Sequence, residues 1–216
     1  MKKIVYLILT TFIAFMVSQE VKATCYDCQQ PKICQSIGFS WNGCNISFEV
    51  CWKCDATGNN PHEFVVSQIQ YNCPNYTVEQ IKAEITRFIL KNLSTFCGQR
   101  PCDIGFSHVR ITHPICMTMH WDGSQITLEA DPDNCYSICS AEYFWCWCNC
   151  TPDCDLDPNC TPHAKYWLTS STPNPLVYNP TGCTETRTGE GTEHPFDDDP
   201  WTIDCQYTGC NPPESE

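Results

Sequence analysis

The chain has 216 residues, a formal net charge of −13 and 20 cysteines. Its 25 acidic residues outnumber the 12 lysines and arginines, and no basic stripe is present. This balance argues against nucleic acid as a partner, because such surfaces cluster cations against phosphates. It also disfavours binding to anionic membranes.

The first 23 residues have the pattern of a secretory signal peptide. Lys2 and Lys3 precede an apolar stretch from Ile4 to Val17, and Ala23 ends a small-residue cleavage pattern. The stretch is shorter than the roughly 18 to 20 residues of a membrane span, and no second apolar run follows. We therefore predict a protein without a membrane span that is secreted and extracellular, or periplasmic if the source is bacterial.

All the cysteines follow this segment, at a density typical of disulfide scaffolds. An even count suits complete pairing, but the sequence does not determine which cysteines pair. The disulfide candidates are Cys25, Cys28, Cys34, Cys44, Cys51, Cys54, Cys73, Cys97, Cys102, Cys116, Cys135, Cys139, Cys146, Cys148, Cys150, Cys154, Cys160, Cys183, Cys205 and Cys210.

The composition changes at residue 151. Residues 151–216 hold 10 of the 16 prolines and twelve acidic residues, with Lys165 and Arg187 as the strong bases. We predict a disulfide-stapled core at 24–150 and an acidic, loop-rich extension at 151–216. Fifteen cysteines precede the boundary and five follow it. Because both counts are odd, complete pairing requires an odd number of bridges between core and extension.

Local patterns predict the elements of the core in chain order. Residues 37–52 form a hairpin around Asn42-Gly43, a pair typical of type I′ turns. Residues 63–71 form a strand. A helix covers about 77–95, and Thr77 with Gln80 forms a capping box at its start.

A second hairpin is predicted where residues 121–130 repeat the pattern of residues 41–50. Trp41 aligns with Trp121, and Gly43 with Gly123. This similarity reflects either an internal duplication or shared turn chemistry. Together the elements predict a disulfide-rich α+β fold, with a largely antiparallel sheet that one helix covers.

In the segment EYFWCWCNC, residues 142–150, alternation on a strand places Phe144 on one face together with the cysteines Cys146, Cys148 and Cys150. Cysteines two apart on a strand lie about 6.5 Å from each other, too far to bridge comfortably. They therefore need distant partners, which the extension would supply. Tyr143, Trp145 and Trp147 share the other face, either as a contact surface for a sugar or partner or as core beneath the helix.

Metal and redox alternatives exist for the cysteines. Cys25 and Cys28, with Cys51 and Cys54, have the spacing of two zinc knuckles, but disulfides are the default outside the cell. CWKC, residues 51–54, suggests a thioredoxin-like motif. The sequence DATGNNP that follows does not begin the helix that such a motif needs.

A calcium loop is the alternative for four oxygen-bearing residues at alternate positions, namely Asp153, Asp155, Asp157 and Asn159. Over about a dozen residues this segment resembles the cysteine-bridged calcium repeats of thrombospondin-like proteins. Pro158 stands where an EF-hand turn needs glycine, and Ala164 stands where it needs glutamate. A solvated acidic loop is the simpler interpretation.

Five glycosylation sequons occur, and their use depends on the host. They are at Asn45, Asn75, Asn92, Asn149 and Asn159. His108, His113 and His120 fall in one strand-like region, where we expect ordinary polar residues and not a catalytic site.

The sequence favours a secreted, non-enzymatic, cysteine-rich protein that acts as an extracellular binding or structural component. Its partner would be an extracellular protein or glycan. The first alternative is a calcium-dependent adhesion or carbohydrate-binding module, and the second is a secreted enzyme whose site is not visible in the sequence. Apart from calcium, no cofactor is expected.

Overall fold

The computed structural model describes residues 33–73, 76–130, 138–151, 154, 155, 157, 159–174, 186–188, 200–207 and 210–214. These residues form ten strands and two helices. The strands are β1 (Ile33–Trp41), β2 (Cys44–Lys53), β3 (His62–Tyr71), β4 (Ser107–Pro114), β5 (Cys116–Trp121), β6 (Ile126–Ala130), β7 (Ile138–Cys148), β8 (His163–Asn174), β9 (Thr186–Thr188) and β10 (Trp201–Tyr207). The helices are α1 (Val78–Lys91) and α2 (Leu93–Cys97).

The strands form one forked, mixed sheet. On one side β3 pairs with β2, which also pairs with β1. On its other side, the first half of β3 pairs with β4 and the second half pairs with β6. The sheet continues from β4 to β7 and β8, and from β6 to β5, β10 and β9.

The pairing of β3 with β4 is parallel, whereas the other pairs are antiparallel. The sheet is therefore mixed and not purely antiparallel, although eight of the nine described strand pairings are antiparallel, as the predicted largely antiparallel sheet requires. The physical reason lies in the connection. A helical crossover between β3 and β4 returns the chain to the starting end of the sheet, so the two strands run in the same direction.

Both predicted hairpins are confirmed. Asn42 and Gly43 both have positive φ, at 48° and 81°, as a type I′ turn requires. The second hairpin, β5–β6, has a longer connection because Trp121 pairs with Ile126. There the Asp122 carboxylate accepts hydrogen bonds from the backbone N–H groups of Ser124 and Gln125.

The predicted helix is present as two helices that Asn92 separates. The capping box forms as predicted, since the Thr77 hydroxyl accepts from the Gln80 backbone and the Gln80 side chain accepts from the Thr77 backbone. On the inner side of the sheet, the Phe88 ring stacks on Phe39 at 4.6 Å. The buried apolar side chains of α1 belong to one hydrophobic cluster with those of the strands.

Most of the described residues after 151 lie in strands, so the predicted loop-rich character of this segment is not what they show. Strand β8 pairs with β7, and β10 pairs with β5. The sequence HAKYWLTS at the start of β8 is rich in strand-favouring residues. Pro173 comes near the end of β8, the outermost strand on this side of the sheet, where proline is tolerated.

Among the described residues, seven cysteine pairs lie at disulfide distance. They are Cys34–Cys51, Cys44–Cys73, Cys54–Cys97, Cys102–Cys146, Cys139–Cys210, Cys148–Cys154 and Cys150–Cys160. Three of these seven join residues before 151 to residues after it. Cys25, Cys28, Cys135 and Cys183 lie outside the described residues, as does the predicted signal peptide.

Candidate functional site

The aromatic face predicted for residues 142–150, formed by Tyr143, Trp145 and Trp147, is largely buried. Tyr143 and Trp145 are each 1 % exposed, and Trp147 is half-buried. The Trp145 indole Nε1 donates to the Leu90 carbonyl of α1 at 2.8 Å. Tyr143 and Trp145 are therefore core residues, which is the second of the two alternatives for this face, and they do not form a contact surface.

The opposite, outer face of the sheet carries a cluster of aromatic side chains, which we call the outer aromatic patch: Phe106 and His108, which are exposed, and Phe144 and Trp167, which are half-buried. His108, Phe144 and Trp167 are paired neighbours on β4, β7 and β8. The His108 ring lies 4.4 Å from that of Phe144, and the Phe106 ring lies 4.6 Å from that of Trp167. Because Phe106 is 46 % exposed, solvent reaches this cluster directly.

A row of charged side chains lies beside the patch. Arg110 on β4 and Glu142 on β7 are each two residues from the patch residue on the same strand, and Glu63 lies on the neighbouring β3. Arg110 donates to Glu142 through Nε at 3.1 Å and through a terminal nitrogen at 2.8 Å. Its other terminal nitrogen lies 3.5 Å from a Glu63 carboxylate oxygen. These three side chains are between 36 and 41 % exposed, so they remain available to a ligand.

The segment that carries Phe106 is held against β7. Cys102 is bonded to Cys146, and its backbone N–H donates to the Trp147 carbonyl at 3.1 Å. The Trp147 N–H donates in turn to the Arg100 carbonyl at 2.8 Å. Phe106 is thus presented on an anchored segment, which reduces the entropy that binding would cost.

The cysteine face predicted to hold the extension does so in part. Cys148 and Cys150 bond to Cys154 and Cys160, whereas Cys146 bonds to Cys102. This face is the outer one and not the inner one. It is buried where the segment around Cys102 and the loop after β7 cover it.

A second cluster of polar side chains lies in the core between α1 and β4. Lys82 and His113 are 6 % and 5 % exposed, and Thr86 lies 2.8 Å from the His113 Nε2 atom. Burial lowers the pKa of Lys82 to about 8, against the opposing effect of Glu79. Burial, followed by the charge of Lys82, lowers the pKa of His113 to about 3.

The candidate calcium residues are only partly described. The Asp155 and Asp157 side chains each accept a hydrogen bond from the backbone N–H two residues later, at 3.0 and 2.8 Å. Asp155 also lies 3.9 Å from the His163 Nε2 atom. Asp157 and Asn159 are exposed, and Asp153 lies outside the described residues. The calcium site stays a prediction.

Two sets of metal-ligating atoms come together among the described residues. One is formed by Cys54, His62 and Cys97, and the other by Cys148, Cys160 and His163. In each set the sulfur atoms belong to disulfides, which removes the thiolate that metals bind. The CWKC cysteines, Cys51 and Cys54, bond to other cysteines and not to each other.

The remaining predicted residues are dispersed. His108 lies in the outer aromatic patch, His113 in the core, and His120 on β5 next to Thr202, 2.9 Å away. Among the sequons, Asn45, Asn149 and Asn159 are exposed, and Asn92 is half-buried with its amide donating to the Phe88 carbonyl. Asn75 lies outside the described residues.

The outer aromatic patch was not predicted from the sequence, because Phe144 was expected on the cysteine face and β8 was not expected to be a strand. Ala164, Tyr166 and Leu168 lie at alternate positions, with His163, Lys165 and Thr169 at the positions between and beside them, and this period of two would have indicated that strand. Lys82 was also missed. It lies one turn after Val78 and one before Thr86, on the apolar face of the helix, where a cation is unexpected.

In the part of the chain that the structure describes, no helix is both long and apolar enough to cross a membrane. The chain matches no protein-family model, and no curated protein and no solved structure is significantly similar to it.

Proposed function

We propose that this chain is a secreted, non-enzymatic binding protein that holds an extracellular protein partner against its outer aromatic patch. The observation that carries the proposal is the set of aromatic rings in mutual contact on the outer face of β4, β7 and β8, where Phe106 stays exposed. Exposed aromatic clusters on monomeric proteins mark interaction sites more often than scattered apolar residues do.

The chemistry around the patch favours a protein over a sugar at this position. Interfaces between proteins combine aromatic anchors and arginine at the centre with a polar rim. Arg110, held between Glu63 and Glu142, supplies such a rim beside Phe144 and Trp167. With a net charge of −13, the chain would associate fastest with a basic partner.

The disulfides support an extracellular place of action. The seven pairs among the described residues suit an oxidising compartment, and they would keep the patch rigid where proteases are abundant. The predicted signal peptide points to the same compartment.

The test begins with a photo-crosslinking residue, p-benzoylphenylalanine, in place of Phe106. The matched control carries it in place of Ser36, which is exposed on β1. Both proteins are exposed to the extracellular fraction of the source organism. A partner that crosslinks from position 106 and not from position 36 is then purified.

The affinity of that partner is measured for the wild type and for the Phe106→Ala, Trp167→Ala double variant. We expect at least a tenfold loss of affinity, since aromatic anchors each contribute about 1 to 2 kcal/mol or more. Equal crosslinking from both positions, or an unchanged affinity in the double variant, would contradict the proposal. A glycan in place of a protein at position 106 would also contradict it.

A further inference from the structure

We infer that a groove at the other end of the sheet, formed by β1, β2, β3 and the β5–β6 turn, binds a neutral oligosaccharide. This inference does not depend on the outer aromatic patch. The groove encloses about 560 Å³, within the range of roughly 300 to 1,000 Å³ of small-ligand sites.

The groove is lined mainly by uncharged polar residues, with Phe39, Ile46 and Tyr71 also in its lining. Among its described lining residues none is an acid or a base, although one residue in six of the chain is charged. Asn45, Gln70, Asn72 and Gln125 contribute four carboxamides, and serines contribute hydroxyl groups. Each such group offers donors and acceptors together, as a ligand made of hydroxyl groups requires.

Hydrogen bonds between neighbouring strands hold these side chains in place. Ser40 donates its hydroxyl to the Asn45 Oδ1 atom at 2.8 Å, and Ser47 donates to the Gln70 Oε1 atom at 3.3 Å. The Asn45 backbone N–H donates to the Asn72 Oδ1 atom at 3.0 Å. Because these bonds use the amide oxygens, the amide NH₂ groups are the donors left for ligand oxygens.

The repeated sequence pattern converges on this groove. In the alignment of the two hairpins, Asn45 and Gln125 occupy the same position, and both line the groove. Ile46 and Ile126, the residues that follow them, both pair with Tyr71, from opposite sides of β3. The two hairpins thus place equivalent carboxamides on either side of one strand, an arrangement that suits a ligand lying across it.

Charge selects the class of ligand. An anionic ligand would approach a chain of net charge −13 against its field and find no lysine or arginine among the described lining residues. A cationic ligand would find no carboxylate there. A neutral saccharide avoids both costs and satisfies the amides and hydroxyls.

Gly38 offers a way to block the groove without disturbing the fold. A Cβ atom added at Gly38 would meet the Ile46 carbonyl oxygen at 3.7 Å and the Ser47 Cβ at 3.9 Å, which are ordinary contacts. Tyrosine is also favoured in strands, so Gly38→Tyr should fold with its ring in the groove. Ser36→Tyr adds the same ring to the same strand face, two residues outside the lining, and serves as the control.

The experiment uses protein secreted into a bacterial periplasm, where disulfides form and Asn45 carries no glycan. Saturation-transfer difference NMR and calorimetry are run with four neutral trisaccharides, namely maltotriose, cellotriose, mannotriose and triacetylchitotriose. Trigalacturonate is the anionic control. We expect at least one neutral sugar to bind, with a loss of at least tenfold in Gly38→Tyr and a clear loss in Gln125→Leu.

The same sugar should bind equally well to the wild type, to Ser36→Tyr and to the Phe106→Ala, Trp167→Ala variant. That last comparison separates this site from the outer aromatic patch. The inference is overturned if no neutral trisaccharide binds at millimolar concentration, or if trigalacturonate binds as well as they do. It is also overturned if Gly38→Tyr and Gln125→Leu both leave binding unchanged.

Discussion

Replacing Lys82 by methionine should stabilise the protein, because the lysine ammonium is charged at neutral pH yet lies in the core. Lys82 is 6 % exposed, and burial lowers its pKa from 10.5 to about 8. A difference of this size corresponds to about 3 kcal/mol in favour of the neutral amine. Methionine keeps the length of the side chain without the charge. The substitution removes the positive charge near Glu79, but the Glu79 side chain is half-exposed, so water can solvate it.

The sign of the pH dependence follows from the same values. Below pH 8 the folded and unfolded chains both carry the proton, so the full penalty of about 3 kcal/mol acts on the folded state. Between pH 8 and 10.5 the unfolded chain binds more protons, and the free energy of unfolding rises with pH. At pH 9.5 the penalty is about 1.4 kcal/mol. The advantage of Lys82→Met should therefore fall by about half between pH 7 and pH 9.5.

Urea unfolding at pH 7, 8 and 9.5 measures this effect for the wild type, Lys82→Met and Lys91→Met. Lys91 is exposed at the end of the same helix, so its variant should change the free energy of unfolding by less than about 1 kcal/mol. If Lys82→Met gives no gain at pH 7, or a gain that does not shrink at pH 9.5, the ammonium is not desolvated as argued.

Three further changes test what stabilises the fold, each by urea unfolding. Thr77→Ala removes the helix cap and should cost about 1 kcal/mol; no loss would mean that the capping box adds nothing. Trp145→Phe leaves the Leu90 carbonyl without its indole donor and should cost about 1 to 3 kcal/mol, whereas a neutral result would show that water replaces the donor. The Cys139→Ser, Cys210→Ser variant opens a bridge with a sequence separation of 71 residues and should lose up to about 4 kcal/mol. A loss below about 1 kcal/mol would mean that the remaining bridges already restrain the unfolded chain.

The sequence predicted those features that depend on contacts between near neighbours. Asn42 and Gly43 determine a turn through their own backbone preferences, and Thr77 with Gln80 determines a helix start within four residues. The parallel pairing of β3 with β4 could not be predicted in this way. It depends on where α1 returns the chain, and no local pattern records that. The groove could not be predicted either. Asn45 and Gln125 are eighty positions apart, and they line the same groove only because both hairpins flank β3.

The division of β7 into two faces could be predicted, but which face lies inside could not. Alternation places Tyr143 and Trp145 on one side and Phe144 on the other, and all are aromatic. The choice depends on partners distant in sequence. The Trp145 indole N–H donates to the Leu90 carbonyl, and the Tyr143 hydroxyl donates to the Pro213 carbonyl at 3.1 Å. With their polar atoms satisfied, both residues can be buried at little cost.

Phe144 has no polar atom to satisfy, and yet it lies half-buried on the outer face, so burial in the core does not account for its position. Further along the same outer face, Thr112 and Ser140 pair through their hydroxyl groups at 3.1 Å, which is the solution expected of a solvated sheet. Around Phe144 the sheet instead exposes rings that water solvates poorly. Leaving Phe106 46 % exposed on this face gives up stability, and binding through the outer aromatic patch is the benefit that would offset it.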